Sequence, residues 1–309
     1  LGKLFSAGEL ADAGDGPGRV AGLAARFAAK EACLKLFPRE TALNIITAVD
    51  FAVARDDYGA PRLEVSPAAE VVLGRHRVAA IQVSLTHAAG SASAVAMRVP
   101  AATRVPFAGR LLWRWLPYRR AVVVDNLRRV YGANVGEAEI ERLAQAHYGH
   151  LWALASEMVR YRFLSERRKQ ALVRVEGVPE FTRAFEAGKG VLIVTGHFGN
   201  FEVATVAGLA QFPQVKGRIH FVRRPIKPKW LDALVTRRFR DAGFGVVGKK
   251  GSLEQIVTLL ERGDAIVFPF DQHARRPDGI DVEFFGHAAG TFKSLAVIAL
   301  ATGAPVLPA

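Results

Sequence analysis

Hydrophobic positions in the first hundred residues alternate between two spacings. Apolar residues recur at helical spacing over 23–37, whereas 44–56 has the pattern of a strand and 81–99 that of two strands around a bend. The sequence DDYGAP at 56–61 predicts a turn, because Asp, Gly and Pro favour turn conformations. Mixed helices and strands with short connections predict an α+β domain.

From residue 191 onward, short apolar runs alternate with amphipathic helical segments. The runs VLIVT, IHFV, GVVG and AIVFPF predict buried strands that begin at Val191, Ile219, Gly245 and Ala265. The segments between them have helical spacing, so each strand is expected to lead into a crossover helix. This alternation predicts an α/β domain with a mostly parallel sheet flanked by helices.

The middle of the chain suggests where two domains meet. PAATRVP at 100–106 has two prolines and small residues and predicts a linker, and a long helix is predicted over 137–161. We therefore expect two domains, at 1–100 and 101–309. The chain does not begin with Met and its last residues, VLPA, look like the middle of a strand. We expect the first domain to lack its N-terminal strand and the second to be truncated at its C-terminus.

The charge balance favours acidic partners. The chain has 42 Lys and Arg against 29 Asp and Glu, a net charge of +13. Phosphates, anionic lipid surfaces and acidic carrier proteins all fit such a charge. Nucleic acid is a weaker choice, because no groove-reading motif is present and the arginines are spread across helices. Cys33 is the only cysteine, which favours a reducing compartment, and no apolar run approaches the roughly 20 residues that span a bilayer.

An arginine- and tryptophan-rich stretch follows the linker. Seven arginines and one acid lie between Arg104 and Arg129, with Leu111, Trp113 and Trp115 interleaved. Basic and aromatic residues around aliphatic ones are typical of a segment that lies in a membrane interface. An ordinary amphipathic helix that docks on its own domain has the same pattern, so both interpretations stay open here.

The sequence GHFGNFE places His197 and Glu202 across a predicted strand-to-helix turn. Ligands of open α/β sheets bind beyond the carboxyl ends of the strands. An imidazole there could take the proton of an attacking alcohol while Glu202 orients the ring, and Gly199 would let a substrate approach the backbone. The alternative is a structural histidine whose hydrogen bonds are satisfied within the core, since one His and one Glu are a weak pattern by themselves.

Several ordered motifs resemble one enzyme family. GHFGNFE is similar to the His-x4-acid motif of the lysophospholipid acyltransferase superfamily, and more closely to that of the lipid A biosynthesis acyltransferases. LPYRRAVVVDNLRRVYG, SEMVRY with Glu157, FVRRP, FDQ and FFG followed by Thr291 match that family in the same order, from about Leu111 to the end. The family transfers lauroyl or myristoyl chains from acyl carrier protein, and it usually begins with a membrane-anchoring helix that is not visible here.

The resemblance implies roles for individual residues. His197 and Glu202 would be the catalytic pair. Arg223 and Arg224 would contact phosphate on the acceptor, and Asp271 would brace the site rather than react. The implied substrate-binding set is Gly199, Asn200, Arg223, Arg224, Asp271 and Gln272.

The sequence RFAAKEACLK raises a second possibility. On a helix, Arg26 and Lys30 lie near one face, and Glu31 and Lys35 follow within a turn. One carboxylate beside three cations could bind phosphate together with Mg²⁺, which usually takes one or two carboxylates and substrate phosphates. Ordinary charge pairing on the surface of an alanine-rich helix is the alternative.

This helix resembles the signature of holo-acyl-carrier-protein synthases, the small 4'-phosphopantetheinyl transferases. LFSAGEL, YGAP and VSLTHAAGSASAVA match further segments of that family, so the resemblance spans residues 1–99. It implies Glu31 as a Mg²⁺ ligand and Lys35 as an aid to proton transfer. It also implies a CoA site formed by Arg26, Lys30, Gly59, Pro61 and His87. An aspartate ligand on the family's first strand is missing here, and the family's site lies between subunits, so a homo-oligomer is expected.

Together the two resemblances suggest a bifunctional enzyme of bacterial lipid synthesis. One half would prime acyl carrier protein from CoA with Mg²⁺, and the other would transfer acyl groups from that carrier, or from acyl-CoA, to a lipid hydroxyl. We expect it to work at the cytoplasmic face of the inner membrane as a peripheral protein. A different acceptor (a glycerophospholipid, an amino lipid or a secondary metabolite) and a non-catalytic binding module are the alternatives.

Overall fold

A computed structural model describes residues 1–42, 45–55, 59–88, 90–131, 135–249 and 251–309. For Thr41, Ala42, Glu202 and Leu231 it describes the backbone only. The structure divides into two compact units. Unit 1 comprises Leu1–Trp152 and Glu283–Ala289, and unit 2 comprises Ala153–Val282 and Gly290–Ala309. The domain boundary predicted near residue 100 separates two domains that resemble different families. A division into compact units does not test that boundary, so it stays a prediction.

The first hundred residues mix helices with antiparallel strand pairs. In chain order they form α1 (Ala7–Asp12), α2 (Arg19–Leu34), α3 (Arg39–Ala42), a 3₁₀ turn (Ala48–Asp50), β1 (Phe51–Arg55), β2 (Pro61–Val65), α4 (Pro67–Arg75), β3 (Val78–Ala88) and β4 (Ser91–Pro100). Strands β1 and β2 pair antiparallel, as do β3 and β4. This confirms the predicted α+β pattern and the two strands over 81–99.

The strand predicted over 44–56 is shorter than expected. It begins only at Phe51, because Thr47 and Asp50 form a capping box around the 3₁₀ turn that precedes it. The backbone N–H and the hydroxyl of Thr47 both donate to the Asp50 carboxylate. Residues 56–58 of the predicted turn lie outside the described part of the chain.

Helix α2 packs through a stripe of small residues. Ala25, Ala29 and Cys33 are spaced by four and are buried, and Cys33 belongs to a core cluster with Phe51 and Val72. Small side chains at this spacing allow the helix axis to approach the neighbouring strands closely. Burial raises the pKa of the Cys33 thiol to about 12, against the opposing effect of the Lys30 charge, so the thiol stays protonated and unreactive at neutral pH.

Three helices follow the linker: α5 (Phe107–Trp115), α6 (Arg120–Tyr131) and α7 (Glu137–Tyr161). The last has the bounds predicted from the sequence. One face of α5 docks against α7, because Gly109 is so close to it that a Cβ would lie 2.3 Å from the carbonyl oxygen of Gln145. The ring of Trp113 packs edge-on against Tyr148, with 5.3 Å between centroids. Among the described helices, none is long and apolar enough to cross a membrane.

Unit 2 contains a parallel sheet, as predicted. The elements from residue 166 onward are α8 (Glu166–Ala171), α9 (Val178–Glu186), β5 (Val191–Thr195), α10 (Phe201–Leu209), a 3₁₀ turn (Pro213–Val215), β6 (Ile219–Arg223), α11 (Lys229–Ala242), β7 (Gly245–Gly248), α12 (Leu253–Glu261), β8 (Ala265–Pro269), β9 (Gly279–Phe284), β10 (His287–Phe292), α13 (Ser294–Thr302) and β11 (Val306–Pro308). The strand order is β11-β5-β8-β6-β7, and every pair is parallel.

Both faces of this sheet are apolar. Along β5, Val191 faces a cluster that contains Phe221 and Phe239, whereas the next residue, Leu192, faces a second cluster with Leu260. Alternation of side chains along a strand explains this division, and burial on both faces explains the continuous apolar runs in the sequence. Because β5 and β8 are neighbours, the residues that follow their carboxyl ends come side by side at one edge.

Candidate active site

A sharp turn carries His197 from the end of β5 to the start of α10. Gly199 within it has a φ of +53°, in the left-handed region that glycine adopts readily. A Cβ on Gly196 would lie 2.9 Å from the ring of Phe198 and 3.3 Å from Oδ2 of Asp271. Two glycines therefore allow the chain to turn and allow the Asp271 carboxylate to come close to the backbone.

The imidazole of His197 is held by Asp271, which follows the end of β8. Nδ1 of His197 lies 2.7 Å from Oδ1 of Asp271, and the backbone N–H of His197 donates to Oδ2 at 2.6 Å. A carboxylate only accepts hydrogen bonds, so Nδ1 carries the proton in this contact and Nε2 is left as the acceptor. The ring also meets Phe201 edge to face, at 4.9 Å between centroids.

The electrostatics keep Asp271 ionised. Partial burial raises the pKa of this carboxyl, but the hydrogen bonds from the backbone and ring of His197 outweigh it, so the pKa lies below its ordinary value of 3.8. The two side chains are 37% and 38% exposed. The pair is therefore open to a substrate and carries a stable negative charge behind the imidazole.

Asn200 fixes the other side of the turn. Its Oδ1 accepts from the backbone N–H of Val203 at 3.3 Å and caps α10. Its Nδ2 donates to Oε2 of Glu157 at 3.0 Å and to the carbonyl of Leu154 at 3.3 Å. These contacts let Asn200 position the turn, and its contact with substrate, which the resemblance implied, stays a prediction.

The remaining residues predicted for this site have different surroundings. Glu202 is the second residue of α10, and its side chain lies outside the described part of the chain, so its catalytic role stays a prediction. Gly199 and Gln272 are exposed at the sheet edge. Phe198 is also exposed, by 84%.

The two arginines that follow β6 differ from each other. Arg223 is bound internally, because Nη2 lies 2.8 Å from Oδ1 of Asp232 and Nη1 donates to the hydroxyl of Thr236 at 2.5 Å. Arg224 is exposed and has no ion pair with a carboxylate among the described side chains. Arg223 thus ties the loop after β6 to α11, and the predicted contact of either arginine with an acceptor phosphate stays a prediction.

A cavity of about 700 Å³ lies next to the turn, on one face of the sheet. It is lined mainly by apolar side chains from α9, α10 and the strands, which include Phe181, Ile193, Phe201, Ala204, Phe221 and Val267. Thr195 and Phe201 line its end near His197, and Arg218 lines it just before β6 begins. The cavity thus extends along the strands from the carboxyl edge towards the opposite edge.

Residues 89–309 match the family model of the bacterial lipid A biosynthesis acyltransferases. The chain belongs to this family. The match includes both residues of the His197–Asp271 pair and the whole parallel sheet.

One relative of this family member is the phosphatidylinositol mannoside acyltransferase of Mycolicibacterium smegmatis. The two are 25% identical over 189 residues, which are 59% of this chain and 60% of the relative. The chain therefore spans about three fifths of the length of that relative.

The crystal structure of holo-[acyl-carrier-protein] synthase from Neisseria meningitidis is similar to part of the chain. The similarity covers 32% of this chain and 78% of the synthase chain, at 23% sequence identity and a TM-score of 0.28. A similarity at this TM-score does not establish a shared fold or activity.

The structure buries two of the cations predicted to bind CoA. Lys30 is fully buried, and its Nζ lies 2.8 Å from Oε2 of Glu9 and donates to the carbonyls of Ala48 and Phe51. Arg26 is 5% exposed and is paired with Asp12. These placements do not fit the predicted contacts with CoA phosphates, because both charges are neutralised inside the unit.

The other residues of the predicted CoA and Mg²⁺ site lie nearer the surface. Lys35, Gly59 and His87 are exposed, while Glu31 and Pro61 are partly buried. Among the described residues, no group of three or more His, Cys, Asp or Glu side chains is placed to hold a metal ion. A Mg²⁺ ion held by one carboxylate and substrate phosphates needs no such group, so Glu31 as a ligand stays a prediction.

Sequence reasoning missed two residues near the site. Phe201 was not singled out although it belongs to the GHFGNFE motif, and its ring contacts the imidazole and lines the cavity. Lys249, directly after β7, was also missed. The rule that strand ends of a parallel sheet share one edge would have drawn attention to it.

Proposed function

We propose that this chain transfers an acyl group from a thioester donor to a hydroxyl of a lipid acceptor. The observation that supports this most directly is the Asp271 carboxylate on Nδ1 of His197, which leaves Nε2 free at an open sheet edge. A base in this position can activate an alcohol, which is a weak nucleophile by itself at neutral pH.

The proposed step uses the acceptor hydroxyl as the nucleophile. Nε2 of His197 takes its proton while the oxygen attacks the thioester carbonyl, and Asp271 stabilises the imidazolium that forms. The carbon–sulfur bond then breaks, and the imidazolium returns its proton to the leaving thiolate. The products are an ester and a free thiol, so atoms and protons balance.

The apolar cavity suits the acyl chain of the donor. Phe201 contacts the imidazole and also lines the cavity, so a chain bound there would present its thioester carbonyl near His197. The cavity's volume of about 700 Å³ and its aliphatic and aromatic walls favour a hydrocarbon over a polar ligand.

The partners proposed are those of the family and of the relative. The acceptor is a lipid of the lipid A or phosphatidylinositol mannoside kind, and the donor is acyl carrier protein or acyl-CoA. The net charge of +13 favours both an acidic carrier protein and an anionic membrane.

We also propose peripheral contact with the cytoplasmic face of the inner membrane. Phe107, Leu111 and Trp115 recur every four residues on α5 and are 73%, 47% and 71% exposed. Arg110 and Arg114 are exposed on the same helix beside this stripe. An exposed apolar stripe beside cations is typical of helices that lie in a membrane interface.

The experiment that tests the proposed transfer is His197→Ala, with products identified by mass spectrometry. We expect the rate of acyl transfer to fall by about 10²–10⁴-fold. His150→Ala, which removes an exposed imidazole from α7, is the matched control and should keep full activity. Transfer by His197→Ala at the wild-type rate would mean that His197 is not the base. Carrier-protein binding without transfer by the unaltered chain would favour a non-catalytic binding module.

Transfer of phosphopantetheine from CoA to acyl carrier protein is a second candidate, favoured by the sequence resemblance over residues 1–99. Its direct test is the mass increase of apo-acyl carrier protein on incubation with CoA and Mg²⁺. Glu31→Gln should abolish that increase without changing acyl transfer. An unmodified carrier protein with the unaltered chain would leave acyl transfer as the only activity.

A further inference from the structure

A lysine and an arginine lie together at the carboxyl edge of the sheet, beyond the catalytic pair. Arg224 follows β6 and Lys249 follows β7, and the two strands are neighbours in register, with Arg223 opposite Gly248. The backbone N–H of Lys249 donates to the carbonyl of Arg223 at 3.1 Å. This hydrogen bond extends the pairing of the strands by one residue and fixes the position of the Lys249 backbone.

The Lys249 ammonium is held in place by an aromatic ring. Its Nζ lies 3.9 Å from the centroid of Phe292, and the Phe292 ring lies 6.5 Å from that of Phe270. Phe270 directly precedes Asp271, and its backbone N–H donates to Thr195 at 2.8 Å. A row of contacts thus connects the ammonium to the strand ends that hold the catalytic pair.

The two cations differ from Arg223 in their ionic contacts. Among the described side chains, neither Arg224 nor Lys249 forms an ion pair with a carboxylate, in contrast to Arg223 with Asp232. Burial, followed by the charge of Arg224, lowers the pKa of Lys249, while Asp278 acts in the opposite direction. A bound anion between the two cations would relieve their repulsion and offset the loss of hydration.

We propose that Lys249, together with Arg224, binds the phosphate of a substrate of the acyl transfer. Neighbouring strands are about 4.8 Å apart, so the end of β7 lies about 10–15 Å from those of β8 and β5. A substrate that reacts at His197 would reach the cations with a phosphate at that distance. The inference rests on the proposed function, and the phosphate has two possible sources, the phosphopantetheine arm of the donor and the head group of the acceptor.

The test compares phosphate-bearing ligands with phosphate-free counterparts by equilibrium binding. The donor pair is CoA and pantetheine, and the acceptor pair is phosphatidic acid and diacylglycerol in mixed detergent micelles. Lys249→Met should weaken binding of CoA or of phosphatidic acid by about 10- to 100-fold, because a hydrogen bond to a charged group is lost. The ligand that is affected identifies the source, and pantetheine and diacylglycerol should bind unchanged.

Two further variants separate charge from structure. Lys249→Arg should restore binding because it keeps the charge, and Lys189→Met, which removes an exposed lysine just before β5, should have no effect. The inference is overturned if Lys249→Met binds both phosphate ligands as tightly as the wild type does. It is also overturned if the affinity for the phosphate-free ligands falls by the same factor. Binding is measured without turnover, so this result is separate from that of His197→Ala, which tests the transfer itself.

Discussion

The Asp271 carboxylate lies 2.7 Å from Nδ1 of His197 although 74 residues separate the two in sequence. The same carboxylate also accepts the backbone N–H of His197, so it orients both the ring and the turn that carries it. The histidine of the GHFGNFE motif thus has a partner that follows the neighbouring strand, independent of the acid in its own motif.

Replacement of Asp271 should lower the rate of acyl transfer. Asp271→Asn removes the charge that stabilises the imidazolium, so we expect kcat to fall by about 10²–10⁴-fold. Asp281→Asn, which removes an exposed carboxylate paired with Arg276, is the control. A wild-type rate in Asp271→Asn would leave the orienting role to Glu202, and Glu202→Gln should be measured beside it.

The stability contributed by Asp271 should depend on pH. Its pKa is lowered in the folded chain, so its stabilisation is present above the ordinary value of 3.8 and is lost as the pH falls through the lower folded value. The difference in unfolding free energy between the wild type and Asp271→Asn should be constant from about pH 8 to 5 and shrink in stronger acid. A difference that grows on acidification would contradict the hydrogen-bonded ionised form.

A larger side chain in the cavity should alter donor preference. Ala204→Phe places a ring at the cavity wall, so transfer of long acyl chains should fall more than that of short ones. Ala210→Phe, at the exposed end of the same helix and away from the cavity, serves as the control. The measurement is kcat/KM for a series of acyl thioesters of increasing length, and equal losses at every length would argue against a chain in this cavity.

The exposed stripe of α5 should contribute to membrane binding. Phe107→Ser with Trp115→Ser should weaken cosedimentation with phosphatidylglycerol vesicles by more than about tenfold, since burial of each large apolar side chain contributes about 1.5–3 kcal/mol. Val20→Ser removes an apolar side chain that is 78% exposed on α2 and should bind as the wild type does. Equal binding by all three chains would favour a helix that only docks on its own unit.

The buried pair of Lys30 and Glu9 should matter for folding of unit 1. Lys30→Met leaves the Glu9 carboxylate buried without its cation, at a cost of about 3–5 kcal/mol in unfolding free energy. The double variant Lys30→Met with Glu9→Leu removes both charges and should recover much of this loss. Lys3→Met, at an exposed position, should unfold like the wild type in urea. A small effect of Lys30→Met would mean that the lysine is not enclosed.

Local patterns predicted the bounds of some elements well. The strand Val191–Thr195 and the helix Glu137–Tyr161 have the bounds that apolar spacing indicated, because burial on both sheet faces or on one helix stripe leaves a direct trace in the sequence. The position of His197 at the carboxyl edge followed from the same strand.

Contacts between distant segments could not be predicted in this way. The pairing of His197 with Asp271 depends on β5 and β8 being neighbours, which the strand order decides. The sequence predicts Lys30 as an accessible cation, because helical spacing indicates the face on which a residue lies. The same spacing does not indicate which other segments pack over that face. Its carboxylate partner, Glu9, comes from another helix, so neither its burial nor its pairing could be deduced from the 26–35 sequence.

The amide of Asn200 joins the first turn of α10 to Glu157 near the end of α7. Loosening of the last turns of α7 would therefore pull on the loop that presents the imidazole. Thermal fraying of a helix that bears none of the reacting groups should thus reduce turnover before the sheet itself melts.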